Sequence, residues 1–127
     1  MMNNPVVWFE IYVRDMQRAK KFYEIVLGVE LEDTKSAGQG LDEMFTFPME
    51  MNGPGAAGAL VRMGDGPSSG GNSVIVYFKC DDCAVESKRV PLNGGKVVKE
   101  KFAIGEKGFV SLVSDTEGNV IGLHSMK

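Results

Sequence analysis

One ordered set of signals occurs twice in this chain, and that repeat constrains its fold more than any other feature. Val6 to Val13 alternates and is rich in β-branched and aromatic residues, the pattern of a strand. Asp15 then offers a helix cap, Ala19, Phe22, Tyr23 and Val26 recur at helical spacing, and Gly28 supplies a left-handed stop. Short strands are predicted near Val29–Asp33, Glu43–Pro48 and Ala57–Met63. The series then restarts with a strand at Ser73–Lys79, a cap at Asp81 or Asp82, a helix to about Asn93, and Gly94-Gly95 as its end. Strands near Lys96–Val98, Gly108–Val113 and Asn119–Ser125 complete it. Asp15 and Asp82 are 67 positions apart, and so are Gly28 and Gly95. A βαβββ unit of about sixty residues leaves one sheet face bare, so two units are expected to cover each other. A ferredoxin-like α+β sandwich also alternates strands and helices, but with fewer strands per helix.

On the first strand, period-two geometry puts Trp8, Glu10 and Tyr12 on one face and Val7, Phe9, Ile11 and Val13 on the other. Pro91 lacks an N–H and should distort the last turn of the second helix. The stretch from Gly64 to Gly71 is the most linker-like in the chain. The expected organisation is therefore one domain, 1–127, with a first module at about 5–63, a linker at 64–71 and a second module at about 72–126.

Composition removes several function classes. With 43% apolar and 24% charged residues, the chain reads as an ordinary globular protein. A net charge of −3 with 14 scattered Lys and Arg gives no footprint for nucleic acid. No apolar run approaches the roughly 20 residues that span a bilayer, and the N-terminus lacks the features of a signal peptide. Two cysteines make no disulfide framework, so a soluble protein in a reducing, cytoplasmic setting is expected.

Two segments resemble a known family. Trp8-Phe9-Glu10-Ile11-Tyr12-Val13-Arg14-Asp15-Met16-Gln17-Arg18-Ala19, followed by Phe22-Tyr23 and Leu27-Gly28, is similar to the opening of vicinal oxygen chelate proteins, the glyoxalase, bleomycin-resistance and dioxygenase superfamily. Ser114-Asp115-Thr116-Glu117-Gly118-Asn119-Val120-Ile121-Gly122-Leu123-His124 resembles the family's closing hairpin, with Thr116 where Pro is common. The resemblance implies an α+β fold in which two paired βαβββ modules form a cup-shaped half-barrel around a small molecule.

In metal-dependent members, the first and last strands of each module contribute one inward ligand apiece, usually His, Gln or Glu. The resemblance places these positions on Trp8, Ile75, Gly122 and about Ala59. None of these side chains binds a divalent cation, so no metal and no cofactor is expected. Two places along the outer strands come Glu10 and His124, the latter the sole histidine, and Tyr77 matches Glu10 in the second module. The resemblance thus implies Glu10, His124 and Tyr77 as candidate catalytic residues. It implies Trp8, Tyr12, Val61, Met63, Ile75 and Gly122 as the substrate-binding lining. A blander reading is a satisfied buried pair, in which Glu10 accepts a hydrogen bond from His124 or Tyr77.

Two functions remain open. One is a glyoxalase-like lyase or isomerase with Glu10 as base; without a chelating cation, true lactoylglutathione lyase chemistry is doubtful. The other is sequestration of an aromatic or cationic molecule, as in drug-resistance members. A homodimer is implied by the resemblance alone. Lesser signals are Cys80-Asp81-Asp82-Cys83, whose acidic residues should raise the thiol pKa values rather than make a redox pair, and a Gly-rich hairpin at Gly53–Gly58 that could join the rim of the cup. Phe45, Phe47, Phe102 and Phe109 read as core.

Overall fold

The computed structural model describes residues 4–34, 42–50, 52–64 and 73–127. All of the expected linker except Gly64 lies outside the described residues. The chain divides into two units: Trp8–Val74, and a second in which residues up to Val7 join Ile75–Lys127. Each has the same element series, which places the protein in the α+β class.

In the first unit, β1 (Val6–Tyr12, whose first two residues belong to the second unit) is followed by α1 (Met16–Leu27), β2 (Glu32–Asp33), β3 (Glu43–Thr46) and β4 (Ala57–Arg62). The strand order is β2-β3-β4-β1, with β1 and β4 parallel and the other pairs antiparallel. Asp15 caps α1 as the sequence implies: its carboxylate accepts from the Arg18 N–H at 3.1 Å. Gly28 ends the helix at φ 65°, a conformation that costs a side-chain-bearing residue about 1–2 kcal/mol. The inner stripe of α1 buries Met16 with Leu31 and Leu60, against Ile11, Val13, Ala19, Tyr23, Phe45 and Phe47. Burial of an aliphatic side chain such as Leu60 contributes about 1.5–3 kcal/mol. The strand expected from Val29 shrinks to two residues. Val29 and Leu31 serve the helix packing, and the Leu31 N–H donates to the Glu24 carboxylate at 2.8 Å.

The second unit runs β5 (Val74–Lys79, whose first residue belongs to the first unit), α2 (Cys83–Leu92), β6 (Lys96–Ala103), a 3-10 turn at Gly105–Lys107, β7 (Phe109–Ser114) and β8 (Val120–Ser125). Its strand order is β5-β8-β7-β6, with β5 and β8 parallel, as β1 and β4 are in the first unit. Asp82 is the cap of α2, accepting from the Ala84 N–H at 3.0 Å. The α2 side of this sheet packs Cys80, Cys83, Val113 and Leu123 with Phe78, Val90, Phe109 and Ile121.

The repeat is imperfect at the end of α2. The left-handed residue is Gly94, at φ 92°, and not Gly95. Pro91 gives no N–H, and the last turn tightens so that the Asn93 N–H reaches the Val90 carbonyl at 3.1 Å. The helix stops two residues shorter than α1. Gly95 is needed for close packing instead, because a Cβ there would overlap the Ser114 carbonyl. Strand β6 extends five residues beyond the predicted Val98, with register shifts between Val97 and Phe102.

The closing turn is held by Asp115. Its carboxylate accepts from the Glu117 and Asn119 N–H groups at 2.8 and 2.9 Å and from the Asn119 amide at 3.0 Å. The Asn119 side chain, then these backbone donors, lower the Asp115 pKa. A lowered folded-state pKa stabilises the fold above the ordinary carboxylate range, and that stabilisation is lost as pH falls through the folded value. Asp115→Ala should therefore weaken the protein in urea at neutral pH, and its deficit should shrink in strong acid. An equal deficit at both pH values would contradict this origin.

Candidate functional site

The outer face of β1 carries the main chemical group of the first unit. Alternation sends Ile11 and Val13 into the α1 core, and therefore sends Trp8, Glu10 and Tyr12 to the other side. Glu10 is 9% exposed and Tyr12 6%. The Trp8 Nε1–H donates to Glu10 Oε2 at 3.1 Å, and the Tyr12 hydroxyl donates to Glu10 Oε1 at 2.7 Å. A buried carboxylate is costly without such donors, and both of its oxygens have one. Residues two apart on a strand are neighbours on one face, and the long rings of Trp8 and Tyr12 lean along the strand to reach the carboxylate between them.

Parallel pairing sets small side chains beside this group. Trp8, Glu10 and Tyr12 are in register with Ala57, Ala59 and Val61 of β4. Ala59 and Val61 are fully buried. Antiparallel pairing then brings Thr46 beside Ala59 and Met44 beside Val61. Thr46 is buried and its hydroxyl receives that of Thr34 at 3.1 Å. The face therefore presents a fixed carboxylate over an alanine and valine floor, bordered by a hydroxyl pair and a methionine. Thr34, Met44 and Thr46 escaped the sequence reading. Their signal was the short alternation Met44–Thr46, which gains meaning only once β3 is known to lie beside β4. Met63 lies one residue past β4 and is half-buried.

In the second unit, β5 places Ile75 and Tyr77 on the face away from the α2 core, and both are buried. Tyr77 is in register with Gly122, and its ring occupies the space that a Gly122 side chain would fill. His124 follows on the same face of β8. Its Nε2 is 2.6 Å from the Lys107 carbonyl oxygen. A carbonyl only accepts, so Nε2 carries a proton and donates, which leaves Nδ1 as the basic position of a neutral ring. The 3-10 turn that supplies this carbonyl was not visible in the sequence. Phe102 is in register with Val110, which pairs with His124, so it belongs to this face and not to the α2 core.

The two units repeat one relation. Glu10 sits beside Ala59, and Tyr77 sits beside Gly122. This supports matching Ala59 to Gly122, as the sequence comparison of the modules does. The positions on which the resemblance puts cation ligands, Trp8 and Ala59 in the first unit and Ile75 and Gly122 in the second, carry an indole, a methyl group, a butyl group and a hydrogen atom. They do not fit a metal ion, since none offers a lone pair to one. Among the described residues, no three His, Cys, Asp or Glu side chains come together as a ligand set.

With this geometry established, comparison with known proteins is decisive on the family. The family model for the Glyoxalase/Bleomycin resistance protein/Dioxygenase superfamily matches residues 6–123. The chain belongs to this superfamily. Proteins of Mycobacterium bovis and Mycobacterium tuberculosis carrying the provisional name glyoxylase CFP32 are 34% identical over 119 residues. That stretch covers 91% of this chain but 43% of theirs, so the chain spans less than half the length of these curated relatives. Methylmalonyl-CoA epimerase from Mycobacterium tuberculosis superposes with a TM-score of 0.67 at 18% identity, over 97% of this chain and 88% of that one. The hypothetical protein BH1468 of Bacillus halodurans gives 0.70 at 13% identity, over 96% and 94%. At such identities the likeness shows the glyoxalase-superfamily fold alone.

The Cys80–Cys83 segment carries no redox signature. Both thiols are free and buried. Burial first, then the charge of Glu86, pushes the Cys80 pKa up to about 11 from 9.0. The direction matches the sequence expectation but the cause does not, since Asp82 is taken up by Lys101 at 2.9 Å and by the α2 cap. With two decades less thiolate, Cys80 should react with iodoacetamide about a hundredfold more slowly in the folded chain than an ordinary thiol. Labelling at the unfolded rate would contradict its burial. Among the described helices, none is long and apolar enough to cross a membrane.

Proposed function

We propose that this glyoxalase-superfamily protein binds a small organic molecule against the outer face of β1, with Glu10 as its polar anchor and no cation at the family's ligand positions. The observation that carries this reading is the buried Glu10 carboxylate, held between Trp8 and Tyr12 above a floor of Ala59 and Val61. Fixed polar groups on an otherwise apolar lining are what a small-molecule site needs for orientation. Trp8, Tyr12, Val61 and Met63 line this face. In the second unit, Ile75, Tyr77, Gly122 and His124 are proposed as ligand-facing residues, with His124 Nδ1 and the Tyr77 hydroxyl able to handle a proton.

In an enzyme, Glu10 would take a proton from carbon beside a carbonyl, giving a lyase or isomerase whose oxyanion is stabilised by side chains. A second reading, sequestration without turnover, is favoured by one feature. Donors already on both Glu10 oxygens make it a well-oriented acceptor more than a free base, and Trp8, Tyr12 and Met44 offer an aromatic and polarizable wall. The test is a ligand screen by Trp8 fluorescence on protein whose metal content has been measured. A compound that quenches Trp8 and is returned unchanged supports sequestration; one converted, with conversion lost in Glu10→Gln, supports the enzyme. Activity that appears only with a stoichiometric bound metal overturns the proposal. A homodimer is part of this reading, checked by analytical ultracentrifugation; a monomer at all concentrations would refute it.

A further inference from the structure

A cavity lies in the first unit between the start of α1 and the end of β1, where Tyr12 and Ser73 also border it. Its volume is about 500 Å³, within the range of small-ligand sites. Its apolar wall consists of Ile11, Val13, Ala19, Phe22, Tyr23 and Val74. Phe22 and Val74 are each more than half exposed, at 57% and 52%. The Phe22 ring is not loose: it stands edge-on to Tyr23 at 5.1 Å, and Tyr23 stands edge-on to Phe47 at 5.6 Å. A rigid aromatic wall is thus left open to solvent, which soluble proteins seldom tolerate without a use.

Charge at the mouth selects the occupant. Arg14, just before the α1 cap, and Arg18, in its first turn, both line the cavity with Asp15 between them in sequence. Asp15 sets one negative charge against two positive ones and also caps α1 through the Arg18 N–H, so the mouth keeps a net positive charge. That cap also uses the helix N-terminus, so attraction for an anion must come from the guanidinium groups. Arg14 has an interaction of its own within the chain. Among the described residues, the Arg18 guanidinium forms no ion pair. Guanidinium is the side chain best matched to a carboxylate or phosphate, through paired N–H donors.

We infer that this cavity is a binding site for a small amphiphilic anion, whose oxyanion head meets Arg18 and Arg14 and whose apolar body lies along Phe22, Tyr23 and Val74. It shares Tyr12 with the Glu10 face, but its anion head and apolar wall use other residues, so it does not depend on the function proposed there. Octanoate, octyl phosphate and octanol are suitable probes, followed by NMR on the intact chain. Octanoate or octyl phosphate should shift the amides of Arg18, Phe22, Tyr23 and Val74 in a saturable way, and octanol should bind at least tenfold more weakly. Whichever anion binds tighter identifies the head group, carboxylate or phosphate, and either supports the site. Arg18→Gln, an exposed position where folding is not at risk, should weaken anion binding about tenfold and leave octanol unaffected. Phe22→Ser should weaken all three. Equal binding of octanol and octanoate, indifference to Arg18→Gln, or shifts confined to the Trp8 indole would overturn the inference. So would a dimer that Phe22→Asp splits, since the wall would then be an interface between copies.

Discussion

Gly122→Val is expected to destabilise the protein by about 2–3 kcal/mol, at the upper end of what overpacking a core costs. The reason is local. Strand pairing puts Gly122 between Tyr77 and Leu112, and the Tyr77 ring fills the position of any added Cβ. Tyr77 is itself buried, so its ring has no solvent to swing into. The valine must displace either a packed ring or a strand. Urea denaturation gives the cost, and Tyr77→Ala identifies its origin. In that background the ring is gone, and the valine penalty should fall by more than half. Equal penalties in both backgrounds would show that Gly122 is needed for another reason.

Glu10→Gln should leave the fold standing and remove ligand binding or turnover by about a hundredfold or more, the scale of a general base or a charged anchor. The indole N–H only donates and a tyrosine hydroxyl can do either. The amide can therefore be accommodated one way, with its oxygen towards Trp8 and its nitrogen towards Tyr12. Stability should drop by about 1 kcal/mol, the net worth of a hydrogen bond. Glu10→Leu is the harsher change, since it removes the acceptor of both the Trp8 and Tyr12 donors, and a buried donor that finds no replacement costs about 1–3 kcal/mol. For an enzyme, Glu10→Gln lowers kcat with KM little changed; for a sequestering protein, affinity carries the whole loss. Full binding and turnover by Glu10→Gln would remove Glu10 from the account.

The parts legible in the sequence were those fixed by short-range geometry. Two-residue alternation placed Trp8, Glu10 and Tyr12 on one face, and Asp15, Gly28 and Asp82 marked helix ends because their chemistry is local. Gly95 was misread for a reason that is also physical. Pro91 removes a hydrogen bond and shortens α2, which moves the left-handed residue back to Gly94. What stayed hidden depends on pairing between distant segments. Thr46 and Met44 matter because β3 lies beside β4, and the Lys107 carbonyl reaches His124 only through a 3-10 turn that has no periodic signal. Val29 and Leu31 looked like a strand because both are apolar and β-compatible, but the α1 core claims them. Two donors at Glu10 are its own strand neighbours, Trp8 and Tyr12. Alternation shows that Trp8 and Tyr12 share its face, but not that both rings lean towards the carboxylate.

The most direct test uses the sole tryptophan, Trp8, whose indole N–H donates to Glu10 and gives a single NMR cross-peak. The protein is treated with a chelator and titrated with a compound that calorimetry shows to bind. The indole peak should move and saturate along with the heat, with no metal added. An indole peak that stays fixed while the heat saturates, or moves only after a divalent cation is supplied, would contradict this expectation.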